Sequence, residues 1–324
     1  LASRLPEHRG GPPGTIEALG ADRPGAVSPR TRIIAVPAPP GAGRPRWRAV
    51  LRRPGIALAA LLVVAVLAAG LLAPALAPLD PVEQNVIERL APPVFLPGGT
   101  PEHLLGTDHL GRDVLSRLIY GARVALVVGI TTVIVSGIGG LGVGLVAGYF
   151  GGWADTTFMR LLDIQLSMPF MLVALTIIGI LGPSLQNIVI VLALTGWVVY
   201  ARIVRAEVLS LRSRDFIAAC RSLGGSDARI IVSHLLPNVR ASVIVVSTVE
   251  VARMMLLESA LSFLGLGVRP PTPSWGAMLA DGRIYLASAW WLATFPGLAI
   301  SLTVLALNMI GDRLRDYLDP ELEV

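Results

Sequence analysis

The chain contains no lysine. All 27 of its Lys+Arg residues are arginine, and a phosphate-binding P-loop of the Walker type needs a lysine to reach the β- and γ-phosphates. The chain cannot itself be an ATPase of that kind. It has one cysteine, Cys220, which forms no internal disulfide, and its four histidines have no second cysteine with which to make a zinc pattern. No metal site and no cofactor is expected. Neither a Gly-x-Ser-x-Gly elbow nor a His-Glu-x-x-His pair occurs, so an intramembrane enzyme has nothing to catalyse with. Charge is also scarce, at 15% of 324 residues against about 25% in soluble domains. With 53% of residues hydrophobic, these proportions describe a membrane protein.

Residues 1–53 hold nine prolines and ten arginines without a sustained apolar run. Such a segment buries too little surface to offset chain entropy and is expected to be a disordered tail. Arg44, Arg46, Arg48, Arg52 and Arg53 cluster just before the first apolar run, where they suit anionic lipid head groups. Gly55 to Leu79 is uncharged and longer than the roughly 20 residues that cross a bilayer core. It is read as an uncleaved first span, since a signal peptide would have a shorter apolar core and an earlier start.

Residues 80–123 are polar and proline-rich, an extramembrane loop with a short amphipathic piece before span two. Val124 to Ala154 supplies span two. There Thr132, Ser136, Gly140, Gly144, Gly148 and Gly152 recur every four residues, a row that lets another helix approach closely. A glycine-rich hinge is the alternative. Residues 164–201 are uncharged and long enough for two crossings, divided at Gly182-Pro183-Ser184. Span three is placed at 164–181, span four at 186–206, span five at 239–264, and span six at 288–311 around Pro296. The domain plan is therefore a tail (1–53), a first span (54–80), a loop (81–123), a five-helix core (124–311) and a carboxy-terminal tail (312–324). With both termini inside, twenty arginines fall on the inner side and six outside. That bias places residues 207–238 in the cytoplasm.

The 207–238 segment has helical periodicity of its own. Phe216, Ala219, Cys220 and Leu223 fall at i, i+3, i+4 and i+7. Gly224-Gly225 stops that helix, Ser226 and Asp227 start a second, and Pro237 is expected to break it. Two short helices joined by a glycine elbow suit docking in a groove of another protein. An interfacial helix pair lying on lipid fits the composition equally well.

Ala218-Ala219-Cys220, then Gly224, then Leu236-Pro237 resembles the EAA loop of ABC-importer permeases. Three further stretches sharpen the resemblance to the C-type subunit of the dipeptide/oligopeptide/nickel permease family: 105–113 (LGTDHLGRD), 258–276 (ESALSFLGLGVRPPTPSWG), and Phe295-Pro-Gly through 311–320 (GDRLRDYLDP). Together they cover most of residues 50–320. The resemblance implies an all-α membrane protein with six transmembrane helices and the ABC type I importer fold. Its expected partners are a homologous second permease, two cytoplasmic ABC ATPase subunits, an extracytoplasmic substrate-binding protein and membrane lipid, with no nucleic acid. The expected location is a bacterial inner membrane and the expected cargo di- or oligopeptides, with nickel or glutathione-type compounds as alternatives. ATPase coupling is implied for Phe216, Ala218, Ala219, Arg221, Leu223, Gly224, Asp227, Leu236 and Pro237. Ala218 stands where the family places a glutamate, which removes a charge available to a partner.

Span five carries Glu250, Arg253 and Glu258 in an apolar helix. Charges at that depth face a bundle interior, a partner or a water-filled path, so the three are candidates for a translocation path or gate. Glu250 and Arg253, three residues apart, can also neutralise one another. In the outer loop, Asp108, Arg112 and Asp113 suit either local pairing or docking of the binding protein. A self-contained secondary transporter or channel is the rival class. It calls for inverted repeats around a midplane site, and the sequence shows no convincing internal repeat.

Overall fold

The computed structural model describes residues 54–318. The expected tail 1–53 lies outside the described residues, as do the last six. Nine helices of eight or more residues organise the described part: α1 (Pro54–Leu71), α2 (Val114–Phe150), α3 (Gly152–Ser167), α4 (Phe170–Leu181), α5 (Leu185–Arg212), α6 (Asp215–Ser222), α7 (Asp227–Phe263), α8 (Trp275–Gly282) and α9 (Trp291–Leu318). Five of them, α1, α2, α5, α7 and α9, are long and apolar enough to cross a membrane. A sixth crossing exists if the bent pair α3 and α4 counts as one span.

Helix bounds differ from expectation at four places, each with a local cause. First, α2 begins at Val114 and not at 124, because the Asp113 side chain accepts from the Ser116 amide and caps it there. The amphipathic piece and span two are therefore one helix of 37 residues, about 55 Å long. Second, span three is not continuous. α3 and α4 meet at 88°, because Pro169 has no amide to donate and pushes Met168 into extended backbone, at ψ 128°.

Third, Pro237 does not break its helix. A π-helical stretch over Ile231–Leu235 precedes it, with the Leu236 amide reaching back to the Ile231 carbonyl. That wider turn makes room for the proline ring, and α7 runs on to Phe263. Fourth, α5 extends to Arg212 and α9 to Leu318, so residues placed in the 207–238 loop and the 312–324 tail belong to long helices. The chain between α5 and α7 reduces to α6 and its two short flanks.

The small-residue row decides how α2 packs. A β-carbon at Gly140 would stand 2.3 Å from the Trp197 carbonyl oxygen, and one at Gly144 would stand 2.7 Å from the Val204 β-carbon. At Gly148 it would meet Val208 at 2.8 Å. The row is thus an intrachain contact seam against α5, not a hinge. Gly152 is not part of it: it has a positive φ, nothing packs against it, and it opens α3. α7 packs against α2, α5, α8 and α9 and ties the bundle together.

Candidate functional site

Beyond the end of α5, α6 and the first turns of α7 form a knob. The end of α6 follows the Schellman pattern: the Gly224 amide donates to the Arg221 carbonyl, and the Gly225 amide donates to that of Cys220. Gly224 sits at φ +78°, the left-handed conformation this pattern requires. The Ser226 hydroxyl then accepts from the Arg229 amide and starts α7. The elbow is thereby fixed by backbone geometry on both sides.

The knob is bolted to the bundle by apolar packing. Ile217, Ile230, Leu235 and Val239 are buried in one cluster with Leu145 and Tyr149 of α2 and with Val204, Val208 and Leu211 of α5. A polar latch adds to this. The Tyr149 hydroxyl donates to Asp227 and accepts from Arg221 Nη2 at 3.1 Å. The Arg221 guanidinium also lies over the Tyr149 ring, 5.6 Å from its centroid. One tyrosine at the end of α2 therefore holds both limbs of the elbow.

The periodic face of α6 divides in two. Phe216, Ala219 and Leu223 are exposed, with Leu223 at 88%, whereas Cys220 turns partly inward toward His234 at 3.4 Å. Ala218, Arg221, Gly224 and Asp227 share the exposed surface, Leu236 packs partly into the cluster and Pro237 is exposed. Sequence reasoning missed Ile217 and Tyr149. Ile217 stands outside the i, i+3, i+4, i+7 row, with Arg214 and Arg221 among its helical neighbours, so periodicity does not mark it. Nothing local marks Tyr149, because its partner Asp227 is 78 residues away.

Within α7, Arg253 Nη1 donates to both Glu250 oxygens at 3.1 and 3.2 Å, so the spacing-based pairing is present. The Glu250 side chain is buried and that of Arg253 is 48% exposed. A charged side chain at a helix centre costs about 2.5–3.5 kcal/mol on insertion scales, and mutual neutralisation lowers that cost. Glu258 is fully buried and accepts from Ser262 Oγ at 2.6 Å and Ser259 Oγ at 3.4 Å. These bonds hold it inside its own chain. An interhelical tie missed from sequence joins Arg205 of α5 to Asp155 of α3 in a two-pronged ion pair.

A family model described as "Binding-protein-dependent transport system inner membrane component" matches residues 140–324. The di/tripeptide transport system permease protein DppC of Pseudomonas aeruginosa is 45% identical over 277 residues, covering 86% of this chain and 91% of that protein. The dipeptide transport system permease protein DppC of Escherichia coli K12 is 44% identical over 292 residues, covering 90% of this chain and 97% of that protein. The chain belongs to this family of transport permeases. Its fold is similar to that of a chain in an inward-facing MetNI methionine ABC transporter, with a TM-score of 0.51 and 19% identity over 63% of this chain and 96% of that one. At that identity the likeness speaks for the fold alone.

The permease's long connection before α2 folds into a cap on the opposite end of the bundle from the knob. Asp108, Arg112 and Asp113 are all buried there. Asp108 Oδ2 accepts from Arg112 Nε at 2.6 Å and pairs with Arg117 Nε at 3.4 Å. Asp113 caps α2 and also meets His103 Nδ1 at 3.0 Å, while His103 Nε2 lies 3.3 Å from Glu88. Burial opposes protonation of His103, but the hydrogen bonds and charges of Asp113 and Glu88 outweigh it and raise its pKa. The Trp291 indole donates to the Thr107 carbonyl at 3.3 Å and the Trp275 indole to that of Leu118 at 2.8 Å. The 105–113 stretch is thus paired locally, and His103, Arg117 and both tryptophans join it without having been marked by spacing.

Proposed function

We propose that this permease imports di- and oligopeptides as one half of the translocation pathway of an ATP-driven ABC importer. The observation that carries the reading is the exposed apolar face Phe216, Ala219 and Leu223 on a knob otherwise anchored in the bundle. Such a face suits insertion in a groove of an ATPase subunit. Ile217 and Tyr149 then carry the push from the knob into α5 and α2. The missing lysine agrees with hydrolysis on a separate subunit.

In this reading residues 215–238 lie in the cytoplasm of a bacterium, both termini face the same side, and the chain sits in the inner membrane. The arginine distribution supports that orientation. A homologous permease completes the pathway, and an extracytoplasmic binding protein delivers cargo over the capped end. Peptide cargo is favoured by the dipeptide and di/tripeptide permeases that cover 83–90% of the chain at 42–45% identity. Uptake of labelled peptide into liposomes tests this. The assembled complex should require ATP and loaded binding protein, and the chain alone should move nothing. Gradient-driven uptake by the chain alone would instead assign it to the secondary transporters.

A further inference from the structure

We propose that Arg253 binds the terminal carboxylate of the peptide cargo as it passes through the membrane; the inference rests on the peptide-import reading above. α7 packs on four other helices, yet Val249, Arg253 and Leu256 remain exposed along one stripe of it. These three positions, at i, i+4 and i+7, share one helix face. Arg253 lies ten residues before the end of α7 at Phe263, about 15 Å along the axis, well inside a hydrocarbon core about 30 Å thick. A guanidinium at that depth faces protein or water and not lipid tails.

The pairing with Glu250 uses only one edge of the guanidinium. Both hydrogen bonds come from Nη1, and among the described residues Nε and Nη2 make none. Nε and Nη2 are the two parallel donors that grip a carboxylate side-on. The structure therefore presents an unused carboxylate fork on the exposed stripe. An acid fixed in a partner subunit would leave Glu250, Arg253 and that acid with a net negative charge in an apolar setting. A peptide brings its own ammonium group with its carboxylate, so the assembly stays neutral while the cargo passes.

The test uses the full transporter in liposomes, with labelled dipeptide and saturating loaded binding protein. Arg253→Gln should lower the maximal uptake rate about tenfold, the loss of one charge-assisted hydrogen bond, with half-saturation unchanged. Arg253→Lys should retain more activity than Arg253→Gln, and the double variant Glu250→Gln/Arg253→Gln should remain slow. Recovery of the double variant to the wild-type rate would reduce Arg253 to a countercharge for Glu250 and overturn the inference. Loss of the second permease from complexes purified with Arg253→Gln would assign the fork to that subunit, with the same effect. Wild-type uptake unaffected by Arg253→Gln sinks the inference alone, whereas wild-type complex that moves no dipeptide removes the peptide reading and the inference with it.

Discussion

Gly224 has open space where a β-carbon would stand, so its constraint is conformational and not steric. An L-residue held in the left-handed region costs about 1–2 kcal/mol, and a β-branched one is less tolerant still. Gly224→Val is expected to insert in the membrane at wild-type level while ATP-driven uptake falls severely, because the elbow reopens and the exposed face turns away. Immunoblotting of membranes beside an uptake assay checks both halves, and full uptake would contradict the fixed elbow. At this scale the sequence was informative where partners are local. The Glu250 and Arg253 pair and the Ser226 cap follow from spacings of three residues. The Tyr149 latch and the Arg205 to Asp155 tie do not, since their partners are 78 and 50 residues apart.

Helix packing carries two further expectations. At Gly144 a side chain would meet both the Val204 β-carbon and the Ala201 carbonyl oxygen, at 2.7 and 2.9 Å. Gly144→Val should therefore force α2 from α5 and cost about 1–3 kcal/mol or more, seen as a lower melting temperature in detergent than Gly139→Val, whose site is open. The cap supplies a pH dependence. His103 titrates higher folded than unfolded, because burial is outweighed by Asp113 and Glu88. Its contribution is thus complete below about pH 6.5, the unfolded value, and is lost as pH rises through the folded value. The melting temperature should fall over that interval in the wild-type protein, and His103→Gln should flatten the fall. An unchanged pH profile in His103→Gln would remove the charge from the account of the cap.

For the whole molecule, hydropathy marked the apolar middle of each long helix but not its ends, because a membrane span must satisfy its backbone internally and so announces itself as an uncharged run, whereas caps and polar turns beyond that run extend the helix unannounced. Breaks inside such runs were harder to read. Pro169 bends its segment by 88° whereas Pro237 is absorbed in a π turn, and the difference lies in the backbone before each ring, extended at Met168 and π-helical over Ile231–Leu235. The knob was legible as a helix pair, but its inward face was not, since Ile217 is buried only by α2, α5 and α7 coming together. The central claim is that the outward face docks on an ATPase and does not lie on lipid. Cys220 is the sole cysteine, so Cys220→Ser with Leu223→Cys leaves one thiol on that face. Treatment of the assembled complex with a short thiol-to-amine cross-linker should join the permease to an ATPase subunit and spare the thiol from a lipid-dissolved maleimide; labelling by the lipid probe with no cross-link would contradict the account.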